Sequence, residues 1–125
     1  MPSSFFSRGD RGLQLTGDEF SALALSFEGT TAAPHFDRTA FKRHRTFATL
    51  AADGTSANVL LTPDEQDHYA GLQPGIFSRV PNKWGDQGWT MVTLMQADVG
   101  LLRAALESAW RAAHRPQRSR SGKRR

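Results

Sequence analysis

"TFATLAADGTSANVLLTPDEQ", Thr46 to Gln66, decides how this chain is read. Two apolar runs flank Asp53-Gly54, the strongest short hairpin signal, because the central positions of a tight turn favour positive φ. The stretch then changes character at "LTPDEQ". Thr62 is a helix cap, Pro63 takes the first helical position, where no N–H is needed, and Glu65 closes a capping box. This helix is predicted to end near Gly71. Strand, turn, strand and helix follow each other directly, so neighbouring strands pair antiparallel instead of alternating with helices.

Upstream, "TGDEF" is a second capping box, with Thr16 as cap and Glu19 reaching back. Phe20, Leu23, Ala24 and Phe27 follow at helical spacing and give one apolar face. From about Ala33 to Leu61 the pattern is one of short extended pieces. Phe41 and Phe47 there flank a basic middle, Lys42-Arg43-His44-Arg45.

Downstream, "GIFSRV" and "GWTMVTL" read as strands joined by the turn-rich "PNKWGDQ". In the second strand Trp89, Met91 and Thr93 share one face, and Thr90, Val92 and Leu94 the other. Trp89 is assigned to the core, Trp84 and Lys83 to an edge, and Gly85 and Gly88 to turn geometry. Asp98 caps a last helix with the stripe Val99, Leu102, Leu106, Ala109, Trp110 and Ala113. Glu107 precedes Arg111 by four residues, the favourable order for a helical ion pair. The helix is predicted to stop before Pro116. The predicted order is α-β-β-β-α-β-β-α, an α+β domain with an antiparallel sheet and helices on one side.

The chain has 125 residues, which predicts one domain. Residues 1–14 read as a flexible N-terminus, 15–113 as the domain, and 114–125 as a disordered basic tail. The net charge of +4 hides a division. The tail carries Arg115, Arg118, Arg120, Lys123, Arg124 and Arg125 and no acid, whereas residues 1–113 hold 10 basic and 12 acidic residues, a net of −2. The Arg8-Gly9-Asp10 triplet reads as chance. No apolar run is long enough for a transmembrane helix or a secretory signal, so no membrane role and a cytoplasmic location are expected. With no cysteine, disulfides, thiolate catalysis and cysteine zinc sites are excluded. The four histidines show no ligand spacing, and no phosphate loop or nucleophile–base pair is legible. No catalytic residue, metal or cofactor is therefore expected, and the chain is not expected to be an enzyme.

"FATL", "LTPDEQ", the "WGxxGW" element and "LLRAALESAWR", in this order, resemble the MmcQ/YjbR family of small bacterial proteins from roughly Phe20 to Ala113. The resemblance implies a two-layer α/β sandwich similar to secretion-chaperone-like domains, and members are often labelled DNA-binding. Two positions depart from the pattern. Arg43-His44-Arg45 replaces a glycine-containing turn, with Arg45 at the family's lysine. Leu60 stands where the family often has a lysine, so a ligand held by that lysine would not be held here.

The functional expectation is a non-enzymatic protein that binds nucleic acid weakly and with little sequence preference. Its candidate contacts are a ridge of Arg38, Lys42, Arg43 and Arg45, the edge pair Lys83 and Trp84, and the six tail cations. A protein-interaction module with a chaperone-like fold and no nucleic-acid role is the alternative.

Overall fold

The structure, a computed structural model, describes residues 15–114. The expectations for residues 1–14 and for the tail beyond His114 lie outside the described residues. Helix α1 spans Gly17–Leu25, followed by strands β1 Thr31–His35, β2 Arg38–Lys42, β3 Thr46–Ala51 and β4 Ser56–Leu60. Helix α2 is Pro63–Leu72, β5 Phe77–Arg79, α3 Lys83–Asp86, β6 Trp89–Thr93 and α4 Val99–His114. The six strands form one sheet in the order β1-β2-β3-β4-β6-β5, and every neighbouring pair is antiparallel. The α+β class is as the sequence predicts. The first strand block differs, with four strands in place of three, and a single-turn helix replaces the expected loop at Lys83.

Both predicted capping boxes are made. The Glu19 amide donates to the Thr16 hydroxyl at 3.1 Å, and the Glu65 amide to Thr62 at 3.1 Å. Each glutamate in turn accepts from the cap's own amide at 3.0 Å. These bonds satisfy amides that a helix start leaves without partners. The predicted hairpin is also present. Asp53 accepts from the Thr55 amide and hydroxyl, while Gly54 takes φ +72°.

One face of the sheet carries Phe41, Ala48, Val59, Ala57, Val92 and Phe77, all buried. Leu102, Ala105, Leu106 and Ala109 of α4 and Phe20 and Ala24 of α1 complete this core. A β-bulge at Phe41/Lys42 sets Lys42 opposite Thr46 and leaves Phe47 as an extra residue. Phe47 and Ala48, adjacent in sequence, are thereby both buried, against the period of two. Fully burying a phenylalanine contributes roughly 1.5–3 kcal/mol, and Phe20, Phe41, Phe47 and Phe77 all reach that state.

Trp89 corrects the sequence reading. Thr90, Val92 and Leu94 are the buried set of β6, while Trp89, Met91 and Thr93 are half-buried on the outward face. The alternation was legible, but its phase was not. A polar residue, Thr90, can lie in the core because its hydroxyl donates to the Gly88 carbonyl at 3.0 Å.

The "PNKWGDQGW" element is frame. A Cβ at Gly85 would lie 1.9 Å from the Val80 carbonyl oxygen, and one at Gly88 would lie 1.8 Å from the Leu61 oxygen. Gln66 of α2, 2 % exposed, donates from its carboxamide to the carbonyls of Gly85 at 2.9 Å and Trp89 at 3.0 Å. On its other side α2 meets α4 through a hydrogen bond from the Ser108 hydroxyl to the Glu65 carboxylate.

Two predictions follow from this packing. Gly75 and Gly88 both have positive φ, but a Cβ at Gly75 meets nothing, while one at Gly88 strikes backbone. Gly75→Ala is expected to cost about 1–2 kcal/mol from φ alone, and Gly88→Ala more than about 3 kcal/mol, read from urea midpoints. Burial would raise the Glu65 pKa, but hydrogen bonds from Ser108 and Thr62 and the charge of His68 outweigh it and hold the pKa below the ordinary 4.5. A lowered carboxylate pKa stabilises the fold above the unfolded value, and that contribution is lost as pH falls through the folded one. The acid limb of the stability profile is therefore expected to be shallower in Glu65→Gln than in the parent.

Candidate nucleic-acid interface

The cations expected to form one ridge are placed by β2 and the turn after it. Arg38 opens β2 and Lys42 closes it, so the two sit at opposite ends of the strand. The Arg38 Nε donates to the Thr49 hydroxyl at 2.9 Å on the outward sheet face. Its Nη2 is buried with no hydrogen-bond partner. Lys42 is exposed, and Arg43 and Arg45 flank the turn between β2 and β3.

Arg43 and Arg45 lean onto the helices. The Arg43 guanidinium donates to the Glu28 carbonyl and lies 5.6 Å over the Trp110 ring. Trp110 donates its indole N–H to the same carbonyl at 2.8 Å and stacks on Phe27, with ring centres 5.6 Å apart. Gly29, at φ +79°, makes room, since a Cβ there would lie 2.5 Å from the Arg43 guanidinium. Arg45 donates to the Ala112 carbonyl at 3.3 Å, in the last turn of α4. A cation at a helix C-terminus complements the free carbonyls and the dipole there.

Lys42, Arg43 and Arg45 thus share one corner with the end of α4, where the chain leads into the tail cations Arg115, Arg118, Arg120, Lys123, Arg124 and Arg125, which lie outside the described residues. Arg38 is at the other end of β2. Lys83 and Trp84, in α3, lie beyond β6 at the opposite edge of the sheet. Trp84 is 54 % exposed, and its amide donates to the Asn82 side chain, which caps α3. The candidate residues therefore fall into three places. Sequence reasoning missed Trp110 and Glu28, whose contacts fix the orientation of Arg43. The one available signal was Trp110 on the border of the helical stripe, where an amphipathic ring can keep one edge in the core and one at the surface.

Among the described residues no group of three or more His, Asp or Glu side chains could hold a metal ion. No described helix is long and apolar enough to cross a membrane.

The chain matches no family model, and no curated protein matches it significantly. Among solved structures it is similar to Deinococcus radiodurans protein DR2400, a crystal structure with the family-model domain DUF419. The two align with a TM-score of 0.69 over 89 % of this chain and 90 % of that one, at 16 % identity. At that identity the likeness is one of fold.

The division between anchored and free cations is measurable as stability. Arg43→Ala is expected to destabilise the domain by about 1–2 kcal/mol, from the lost stacking and hydrogen bond. Lys42→Ala is expected to stay within about 0.5 kcal/mol. Chemical denaturation of the two variants checks both.

Proposed function

We infer that the protein is a non-enzymatic binder of nucleic acid, weak and largely indifferent to sequence, and that its contacts centre on the corner where α4 ends. The observation that carries this reading is the bond from Arg45 to the Ala112 carbonyl. It holds Arg45 of the β2–β3 turn against Ala112, three positions along the sequence from the tail's first cation, Arg115, on a chain whose first 113 residues are net acidic. Cations concentrated at one corner hold phosphates without reading bases. Lys42 and the tail supply further charge, and Arg43 and Arg45 supply charge fixed in direction. Arg38, Lys83 and Trp84 stand apart and are secondary contacts in this reading.

A second reading rests on the outward sheet face. Half-buried Leu60, Trp89 and Met91 share that face, and it suits a protein-interaction module with a chaperone-like fold. We further infer membership of the MmcQ/YjbR family. The order of the four motifs and the likeness in fold to a DUF419 domain support this.

Titration of a labelled duplex at several salt concentrations tests the function, using the full chain and a truncation after Ala113. If all six tail cations meet duplex phosphates, log K should fall with log salt at a slope near about −5, or about −4 on a single strand. The truncation is expected to lose most of the affinity and most of that slope. Equal and selective binding by the truncation would move the site into the fold. No binding by either at low salt would favour the protein-interaction reading.

A further inference from the structure

Among the described residues two non-glycine residues have positive φ, Asn82 at 77° and Phe36 at 60°. Asn82 is explained locally, because its side chain caps α3 by accepting from the Trp84 amide at 2.9 Å. Phe36 has no such compensation. It is the first of two residues in the β1–β2 turn, between the paired His35 and Arg38, where such a turn normally has glycine. It is 93 % exposed, and among the described residues its ring packs on that of its neighbour His35. All five residues of β1 are exposed, so this strand of the hairpin is covered by no helix. A phenylalanine here destabilises the monomer through its backbone and buries nothing in return. Asp37, the next residue, forms no ion pair among the described residues.

The same end of the sheet holds a complementary feature. Arg38, just after the tip, pairs with Ala51 at the end of β3, and the following turn, Asp53 to Thr55, forms one wall of a groove of about 1240 Å³. Leu15, Leu23, Met95 and Val99 supply apolar surface to it, with Met95 58 % exposed. Arg103 also lines it. Its guanidinium lies 5.5 Å over the Phe27 ring and has no ion pair among the described residues.

We propose that this end of the molecule is a self-association surface, in which the Phe36 tip of one copy enters the groove of a second copy. The chain carries both halves of the contact. The tip offers an aromatic ring followed by a carboxylate, and the groove offers apolar walls and the Arg103 guanidinium, while its two carboxylates, Glu19 and Asp53, accept from Thr16 and Thr55. Asp37 of one copy would face Arg103 of the other. Because tip and groove are neighbours at one end, a twofold axis there lets two copies exchange tips reciprocally. That arrangement closes as a dimer and does not propagate. The contact is small, so the dimer is weak. The proposal does not depend on nucleic-acid binding.

Sedimentation velocity on the full chain over a concentration series tests it, at a salt concentration high enough to screen the tail. The parent is expected to show a reversible monomer–dimer equilibrium. Phe36→Gly and Phe36→Asn should weaken it about thirtyfold or more, as loss of a central aromatic anchor does. Both should leave the thermal midpoint equal or higher, because each residue suits that φ better. Asp37→Arg and Arg103→Asp should each weaken it about threefold, and the two together should restore it. A parent that stays monomeric throughout, or a Phe36→Gly chain that dimerises like the parent, would overturn the proposal.

Discussion

The buried carboxamide of Gln66 is the interaction on which the right-hand half of the sheet depends. Its nitrogen donates to two carbonyls from different elements, Gly85 in α3 and Trp89 at the start of β6. Each carbonyl also accepts from a backbone amide, Gly85 from Gly88 and Trp89 from Val80, both at 3.0 Å, so this side chain adds a second bond to each, typically about 0.5–1.5 kcal/mol apiece, and fixes α2 against them. The approach is possible only because Gly85 and Gly88 lack a Cβ where Val80 and Leu61 press in. The Leu61 amide also donates to the Gly88 carbonyl at 2.9 Å, tying the end of β4 to the same turn. "LTPDEQ" and "WGxxGW", apart in sequence, are two halves of one hydrogen-bonded joint.

That joint explains which parts of the fold were legible. The two capping boxes, the Asp53-Gly54 turn and the stripe of α4 were readable because each is a local pattern with its own chemistry. The phase of β6 was not. Alternation in "WTMVT" says that two faces differ, and tryptophan's size favours burying its own face. The decision lay with Thr90, whose hydroxyl is satisfied by the Gly88 carbonyl and so can be buried. β1 was missed for the opposite reason. "TAAPH" has no apolar alternation, since no layer covers either of its faces, and only pairing with β2 makes it a strand.

The candidate site repeats this lesson with charges. A run such as Lys42-Arg43-His44-Arg45 reads as a continuous basic surface, but a sequence gives the charges without their partners. Arg43 is spent on the Glu28 carbonyl and the Trp110 face, and Arg45 on the end of α4. Neither contact neutralises a charge, because the partners are carbonyls and a ring. The guanidiniums therefore keep their field while losing their freedom. A fixed cation near a helix end loses less entropy on meeting a phosphate than a mobile lysine would. Arg38 is a different case, because its Thr49 partner holds it on the outward face at the far end of the same strand.

The geometry of β2 connects the two proposals. Its first residue adjoins the Phe36 tip and its last adjoins the Arg43–Arg45 turn, so the apolar contact and the cationic corner lie at opposite ends of one strand. A twofold dimer joined at the Phe36 end would carry its two cationic corners, and the tails that follow them, away from the axis. Tail-mediated binding to one extended polyanion would then become bivalent. The second corner would engage at an effective concentration set by the span between corners, raising avidity with no new contact to phosphate. The acidic balance of residues 1–113 acts in the same direction. In that reading it would discourage a polyanion from lying along the body and leave the corners as the places where charge favours approach.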